Sequence, residues 1–499
     1  MSELERADEM APPMPAVPPV RGGLGATLVR GAAWTAAANV MASALSAAVG
    51  LALARLLTPA DFGIQAAVVT ITVFFGTVLD LSLGSAIVQR EELDHAHLSS
   101  LFWLGLAGSG VLYLAVAAAG PLVAVLFNAP EVRRALPVAA LSIVLLGAAI
   151  VPAALLRRRL AFSSIARAQA AGAVVASGVA VAIALAGGHY WALIGYGLAS
   201  VCVSSALVLR AARFAPRGRV RLAHLAPVRG YAGAMMSFLA VNYWSRNMDD
   251  VIIGRALGVG SLGIFNFAQR LVGAPLQLLT GSIAPLLHPT FAAMGDDVRR
   301  QRGAYLDLAH VTALATFPVS AALFVLAEPI VLVVGGERWR GSAAVMRALC
   351  LLSAVQPVNM LCGAVFMSRD AAHLMLRYAT IGAVAVVTGM LVGLHWGVAG
   401  VAWGYAIAYA TISAPTSTLN ALGLLGGGRR ALARALTLPL AIGVAMLGVA
   451  LALGVVVPML VPPSVARAAT LVVTGLALAA ALLPAARRVF AARRRRRAP

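Results

Sequence analysis

The sequence contains no lysine and few acidic residues. Its positive charge comes from 39 arginines, against 18 aspartates and glutamates, and the formal net charge is +21. Charged residues make up 11% of the chain, less than half of the roughly 25% usual in soluble domains. Because so little charge cannot cover the surface of a soluble protein of 499 residues, the composition excludes that class.

Cysteine is also scarce. Cys202, Cys350 and Cys362 lie singly in apolar segments, without the close spacing of a metal site. We expect them to be small buried hydrophobic residues. The cysteines therefore predict no metal site, and we also expect no cofactor and no catalytic residues.

Long apolar runs are what the sequence does contain, since 61% of its residues are hydrophobic. The runs are about 20 residues long and do not alternate with polar residues, which favours membrane-spanning helices and excludes a transmembrane β-barrel. We predict an all-α integral membrane protein of about 14 helices. The predicted spans are 32–55, 62–89, 98–127, 134–156, 164–187, 189–209, 231–254, 261–290, 304–334, 342–367, 372–394, 396–421, 432–457 and 463–486.

The arginines predict the orientation of these spans. If the N-terminus is inside, 29 arginines lie in the inner segments and seven in the outer ones, while Arg246, Arg270 and Arg347 fall within or beside spans. This asymmetry follows the positive-inside rule, so both termini are predicted to be cytoplasmic. Arginines confined to short loops between apolar runs report topology, and we expect no nucleic-acid partner.

An internal repeat divides the chain. Arginine, leucine, glycine and isoleucine recur at matching offsets in 55–64 and, 200 residues later, in 255–264. Six spans per copy give both copies the same orientation, as in transporters built from two parallel bundles. The predicted organisation is a disordered tail (1–30), a first six-helix lobe (31–210), an arginine-rich inter-lobe loop (211–230), a second six-helix lobe (231–422), two extra helices (423–486) and an arginine-rich tail (487–499).

Polar residues inside two adjacent spans suggest a binding site, since ionisable groups there are costly. We expect one polar face on span seven and another on span eight, at similar depth. Arginine suits a diphosphate, and amides suit the hydroxyl groups of sugars. The candidate substrate-binding residues are Asn242, Arg246, Asn266, Gln269, Arg270 and Gln277.

Three acids are candidates for ion coupling or for structural ion pairs: Asp80 in span two, and Asp249 and Asp250 in span seven. Arg246 can instead pair with Asp249 or Asp250 on its own helix, which would neutralise its charge. Contact with the substrate and internal pairing both remain open for Arg246.

The segments 53–63 and 249–268 resemble the polysaccharide-transporter family, the Wzx-type flippases of the multidrug/oligosaccharidyl-lipid/polysaccharide exporter superfamily. The shared features are Leu53-Ala-Arg-Leu-Leu-Thr-Pro-Ala-Asp-Phe-Gly63 and Asp249-Asp-Val-Ile-Ile-Gly254 with Phe265-Asn-Phe-Ala268. The resemblance implies a flippase of the bacterial inner membrane. Its cargo would be an undecaprenyl-diphosphate-linked oligosaccharide for exopolysaccharide, capsule or O-antigen synthesis. Its other expected partners are the bilayer and the polymerase and chain-length proteins of the same pathway.

Three alternatives remain. A cation-coupled multidrug exporter of the same superfamily would need a cavity dominated by carboxylates, whereas the predicted site also contains arginine. A lipid-linked peptidoglycan-precursor flippase shares the 14-span plan. A membrane glycan polymerase or glycosyltransferase is a more distant alternative, because the longest internal loop, 210–230, holds no acidic residue.

Overall fold

The structure is a computed structural model that describes residues 45, 48–79, 95–159, 161–216, 226–280 and 297–460, together with residues 287, 291, 294, 295 and 474. For 226–242, 245, 246, 278–280 and a few helix-end positions it describes the backbone alone. All regular secondary structure in these ranges is helical. Ten stretches among them are long and apolar enough to cross a membrane.

Thirteen α-helices are labelled here in chain order. They are α1 (Pro59–Leu79), α2 (His95–Ala118), α3 (Gly120–Leu126), α4 (Val132–Arg158), α5 (Phe162–Leu185), α6 (Trp191–Ala212), α7 (Ala226–Thr280), α8 (Val298–Val334), α9 (Ser342–Ser368), α10 (Ala372–Gly393), α11 (Gly397–Ala408), α12 (Ala414–Leu424) and α13 (Arg429–Leu460). Residues 48–56, before α1, are also helical.

The predicted all-α membrane architecture is confirmed. Most predicted spans fall on helices with bounds a few residues away, because hydropathy marks the apolar stretches directly. The last span, most of the first one and the two tails lie outside the described residues. The expectation of buried cysteines is right for Cys350 and Cys362 and wrong for Cys202, which is exposed on α6.

Helix α7 contains two predicted spans, joined at Gly258. Gly258 has φ +80° and ψ 169°, a conformation that glycine adopts without steric cost. Asn266 nevertheless donates a hydrogen bond to Asp250, 16 residues earlier, at 2.8 Å. A straight helix would separate these residues by roughly 24 Å. The N-terminal arm (226–257) and the C-terminal arm (259–280) of α7 therefore fold back on each other at Gly258.

The N-terminus of α1 is fixed by a local cap. Thr58 donates from both its backbone nitrogen and its hydroxyl to Asp61 Oδ2, at 2.8 and 2.7 Å. The Asp61 nitrogen donates to the Thr58 hydroxyl at 3.3 Å. Pro59 occupies the first helical position, where its missing N–H is not needed. This cap fixes the residues that follow it, which lead into the cavity described below.

Two glycines bring α1 and α7 into close backbone contact. A Cβ atom on Gly63 would overlap the carbonyl of Val259, and a Cβ atom on Gly263 would overlap the carbonyl of Pro59. Gly63 and Gly263 are 200 residues apart, as are Pro59 and Val259. The contact is thus reciprocal, at the offset of the sequence repeat. Small residues commonly allow this approach between membrane helices.

Candidate functional site

A cavity of about 210 Å³ lies between α1 and the two arms of α7. Helix α1 contributes apolar and neutral polar side chains, and α7 contributes most of the polar ones. The lining residues are Gln65, Ala66, Val69, Thr70, Val73, Tyr243, Asn247, Asp250, Asn266, Gln269 and Arg270. The first and second predicted lobes therefore each supply one wall.

Asp250 joins the three helical segments that line the cavity, namely α1 and the two arms of α7. It is 9% exposed, and both of its carboxylate oxygens accept hydrogen bonds from side chains. Thr70 on α1 donates to Oδ2 at 2.6 Å, and Asn266 on the other arm of α7 donates to Oδ1 at 2.8 Å. A buried carboxylate costs free energy unless it is hydrogen-bonded, so these two contacts hold it in place.

Among the described residues that line the cavity, Arg270 is the one with a positively charged side chain. Its Nη2 donates to Gln65 Oε1 on α1 at 2.6 Å, which links the two predicted lobes. Its guanidinium carbon lies 5.4 Å from the ring centroid of Phe62, within cation–π range. Asp250 and Arg270 are also close enough to interact electrostatically. Arg270 therefore carries positive charge into the cavity beside one acid and several neutral amides.

The N-terminal arm of α7 is broken where it enters the cavity. Asn247 has non-helical angles (φ −116°, ψ 17°), and its Nδ2 donates to the carbonyl of Tyr243 at 2.8 Å. The Tyr243 hydroxyl donates to the Thr70 carbonyl at 2.8 Å. The Asn247 amide thus supplies a donor to a carbonyl at the break, as membrane helices require. Broken helices of this kind often line binding cavities.

The structure gathers part of the predicted site. Asn266, Gln269 and Arg270 line the cavity with Asp250, while Asp249 is buried, with 4% exposure, beside them. Gln277 is exposed on α7 and lies outside the lining set. Asp80 lies outside the described residues, as do the side chains of Asn242 and Arg246. The break at Asn247 falls between Arg246 and Asp249, so the single polar face predicted for span seven does not run along a regular helix.

Sequence reasoning missed four polar lining residues: Gln65, Thr70, Tyr243 and Asn247. In the second predicted span, the candidate was the charged residue Asp80 rather than these neutral ones. Gln65 was detectable as the only amide side chain in α1. The role of Thr70 depends on its contact with Asp250, 180 residues away, which no local pattern reveals.

The two predicted lobes are also joined beyond the cavity, by contacts that we call the latch. Trp339 Nε1 donates to the Ala54 carbonyl at 2.8 Å, and Arg338 Nη1 donates to the Leu57 carbonyl at 3.2 Å. Arg55 Nε donates to the Val334 carbonyl at 2.7 Å, and its Nη2 donates to Val333. The Trp339 side chain is fully buried, so the latch includes an interior contact between the two predicted lobes.

The chemistry of the cavity suits an anionic, hydroxyl-rich ligand. A guanidinium remains charged and presents forked donors that match phosphate oxygens. The amides of Gln65 and Gln269 can both donate and accept, as sugar hydroxyl groups require. The cavity volume of about 210 Å³ is below the roughly 300–1,000 Å³ of typical ligand pockets.

Curated relatives resemble this chain over much of its length. The lipopolysaccharide biosynthesis protein WzxC of Escherichia coli (strain K12) is 25% identical over 437 residues, which cover 86% of this chain and 88% of WzxC. The succinoglycan biosynthesis transport protein ExoT of Rhizobium meliloti (strain 1021) is 29% identical over 327 residues, or 65% of this chain and 66% of ExoT. The teichuronic acid biosynthesis protein TuaB of Bacillus subtilis (strain 168) is 22% identical over 74% of this chain and 78% of TuaB.

Among solved structures, the lipid II flippase MurJ in an inward closed conformation has the same fold. The TM-score is 0.73 at 13% sequence identity, with 90% of this chain and 98% of MurJ covered. The family model described as polysaccharide biosynthesis protein matches residues 52–344, more than half of the chain. This multi-pass membrane protein therefore belongs to the polysaccharide biosynthesis protein family.

Proposed function

We propose that this protein is a flippase for polysaccharide synthesis. It moves an undecaprenyl-diphosphate-linked oligosaccharide from the inner to the outer leaflet of the bacterial inner membrane. The names of WzxC, ExoT and TuaB support a role in polysaccharide biosynthesis, and ExoT is named a transport protein. The reaction makes and breaks no covalent bond, and both termini lie in the cytoplasm.

The observation that carries this proposal is the position of Arg270. It is a cation held in a cavity between two lobes, with amides beside it and one of them, Gln65, on the opposite wall. Charge-assisted hydrogen bonds to a diphosphate are stronger than the single neutral contact that Arg270 makes with Gln65. Movement of the two lobes about this cavity would expose it alternately to each side of the membrane.

A cation-coupled drug exporter fits the cavity less well. Asp250 is the obvious cation ligand, but Thr70 and Asn266 already donate to both of its oxygens. Arg270 lies nearby and would repel a cationic drug. The likeness to MurJ, at 13% identity, supports the fold and does not identify a peptidoglycan precursor as the cargo.

The test is a lipid extraction from cells that lack this protein, followed by mass spectrometry. We expect a complete oligosaccharide on undecaprenyl diphosphate to accumulate in the membrane, and its mass would identify the sugars. No accumulation, together with new drug sensitivity, would favour the exporter and overturn the flippase proposal.

Complementation of the same strain tests the site. Arg270→Ala should reach the membrane in normal amounts but fail to restore glycan export, because the substitution removes the positively charged side chain that lines the cavity. Arg255→Ala is the matched control, since Arg255 is an exposed arginine on the same helix that does not line the cavity. Normal export with Arg270→Ala would remove Arg270 from the site.

A further inference from the structure

One side chain, Phe62, contacts both the cavity cation and the latch. It lies in the first turn of α1 and is 1% exposed. Arg270 sits over its ring at 5.4 Å, and the Trp339 ring meets it edge-on with the centroids 5.0 Å apart. Phe267 completes the cluster, 4.2 Å from Trp339 and 6.3 Å from Phe62.

The cluster joins parts of the chain that are far apart in sequence. Phe62 belongs to the first predicted lobe, and Arg270, Phe267 and Trp339 belong to the second. Edge-to-face aromatic pairs and cation–π contacts depend on geometry, so a shift of Phe62 weakens both of its contacts. A movement of Arg270 that displaces Phe62 therefore also changes the contact between Phe62 and Trp339.

We propose that Phe62 couples occupation of the cavity to the latch. In the closed arrangement, Arg270 is held over Phe62 and bonded to Gln65, and Trp339 is bonded to Ala54. The diphosphate of the cargo draws Arg270 away from both partners, Phe62 loses its cation, and Trp339 is released from Ala54. This inference rests on the proposed function, and it adds a role for Phe62 and Trp339 as positioning residues.

The energetics favour such a switch. A ligand shifts a conformational equilibrium only by its difference in affinity for the two states, and Arg270 offers that difference. In the closed state one of its donors, Nη2, is engaged by Gln65, whereas in the open state that donor is also free, so the guanidinium can bind phosphate oxygens in pairs. The hydrogen bond from Arg55 to the Val334 carbonyl is exposed, so water can replace it at modest cost, whereas the buried bond from Trp339 to the Ala54 carbonyl is the one whose loss the cargo must offset.

The test measures the distance between two spin labels across the latch by double electron–electron resonance spectroscopy on the full-length protein in lipid nanodiscs. Spin labels are placed at Leu56→Cys and Val333→Cys, two exposed positions on opposite sides of the latch. Cys202→Ser removes the exposed native cysteine. Undecaprenyl diphosphate is the probe, and undecaprenol, which lacks the diphosphate, is its control.

We expect undecaprenyl diphosphate to raise the ratio of open to closed molecules about two- to fivefold, the change that loss of one cation–π contact at an accessible site produces. Undecaprenol should leave the distances unchanged. Phe62→Leu should still bind the diphosphate lipid, as seen by native mass spectrometry. The distance between its two spin labels should not increase when the lipid binds. Trp339→Phe keeps an aromatic ring and loses the bond to Ala54, so it should be more open before any lipid is added.

The outcomes separate this inference from the proposed function. Binding of undecaprenyl diphosphate to the wild type without widening overturns the coupling alone, as does a normal response in Phe62→Leu. Failure of the wild type to bind the lipid overturns both. Arg255→Gln is the control arginine and should respond like the wild type.

Discussion

At the scale of the residue, the cavity depends on a few buried polar groups that satisfy each other. Asp250 is the clearest case, because its two hydrogen bonds come from α1 and from the second arm of α7. Each partner belongs to a different wall, so the carboxylate also organises the packing. Such networks are stabilising only when they are complete.

Replacing Asp250 should therefore destabilise the fold as well as alter the site. In Asp250→Asn an amide group replaces one carboxylate oxygen and faces a donor, so one hydrogen bond is lost. We expect a loss of about 1–3 kcal/mol, read as a lower apparent melting temperature in detergent. Asp307→Asn changes an exposed carboxylate and should leave the melting temperature unchanged. Equal melting temperatures for wild type and Asp250→Asn would contradict this account.

At the scale of the element, glycines and local breaks determine how the helices meet. The fold-back at Gly258 brings Asp250 to Asn266, and the crossing of Gly63 with Gly263 brings α1 against α7. A second kind of break lies between α11 and α12, where residues Tyr409–Ser413 form a π-helical turn. Pro415, two residues after this turn, has no N–H to donate to it, which accounts for the irregularity.

The glycine crossing predicts a sharp difference between neighbouring positions. Gly63→Ala and Gly263→Ala each place a methyl group on a backbone carbonyl that cannot move away, so we expect a destabilisation of about 1–3 kcal/mol or more. Less folded protein should reach the membrane, as quantified by fluorescence-detected size-exclusion chromatography. Gly273→Ala lies on the same helix and meets nothing within 4 Å, so it should be neutral or slightly stabilising. Similar yields for all three variants would refute the crossing.

At the scale of the whole molecule, the sequence predicted the membrane helices well and the site only in part. Long apolar runs report burial in lipid directly, which is why α4, α9 and α10 lie so near their predicted bounds. Arg270 stood out because charge within a span is costly. Thr70 did not, since its hydroxyl becomes significant only through its tertiary contact with Asp250. The break at Asn247 has no proline or glycine beside it, so the sequence does not predict it.

The orientation of the molecule is the prediction on which the direction of transport depends. With 29 arginines in the inner segments against seven in the outer ones, the start of α4 should face the periplasm and the start of α13 the cytoplasm. Arg133 and Arg430 are exposed in these two places, so each is replaced by cysteine in a Cys202→Ser background. A membrane-impermeant maleimide should label Arg133→Cys in intact cells, and Arg430→Cys only after the membrane is opened. The reverse pattern would invert the topology, and the latch would then close the cytoplasmic end of the cavity.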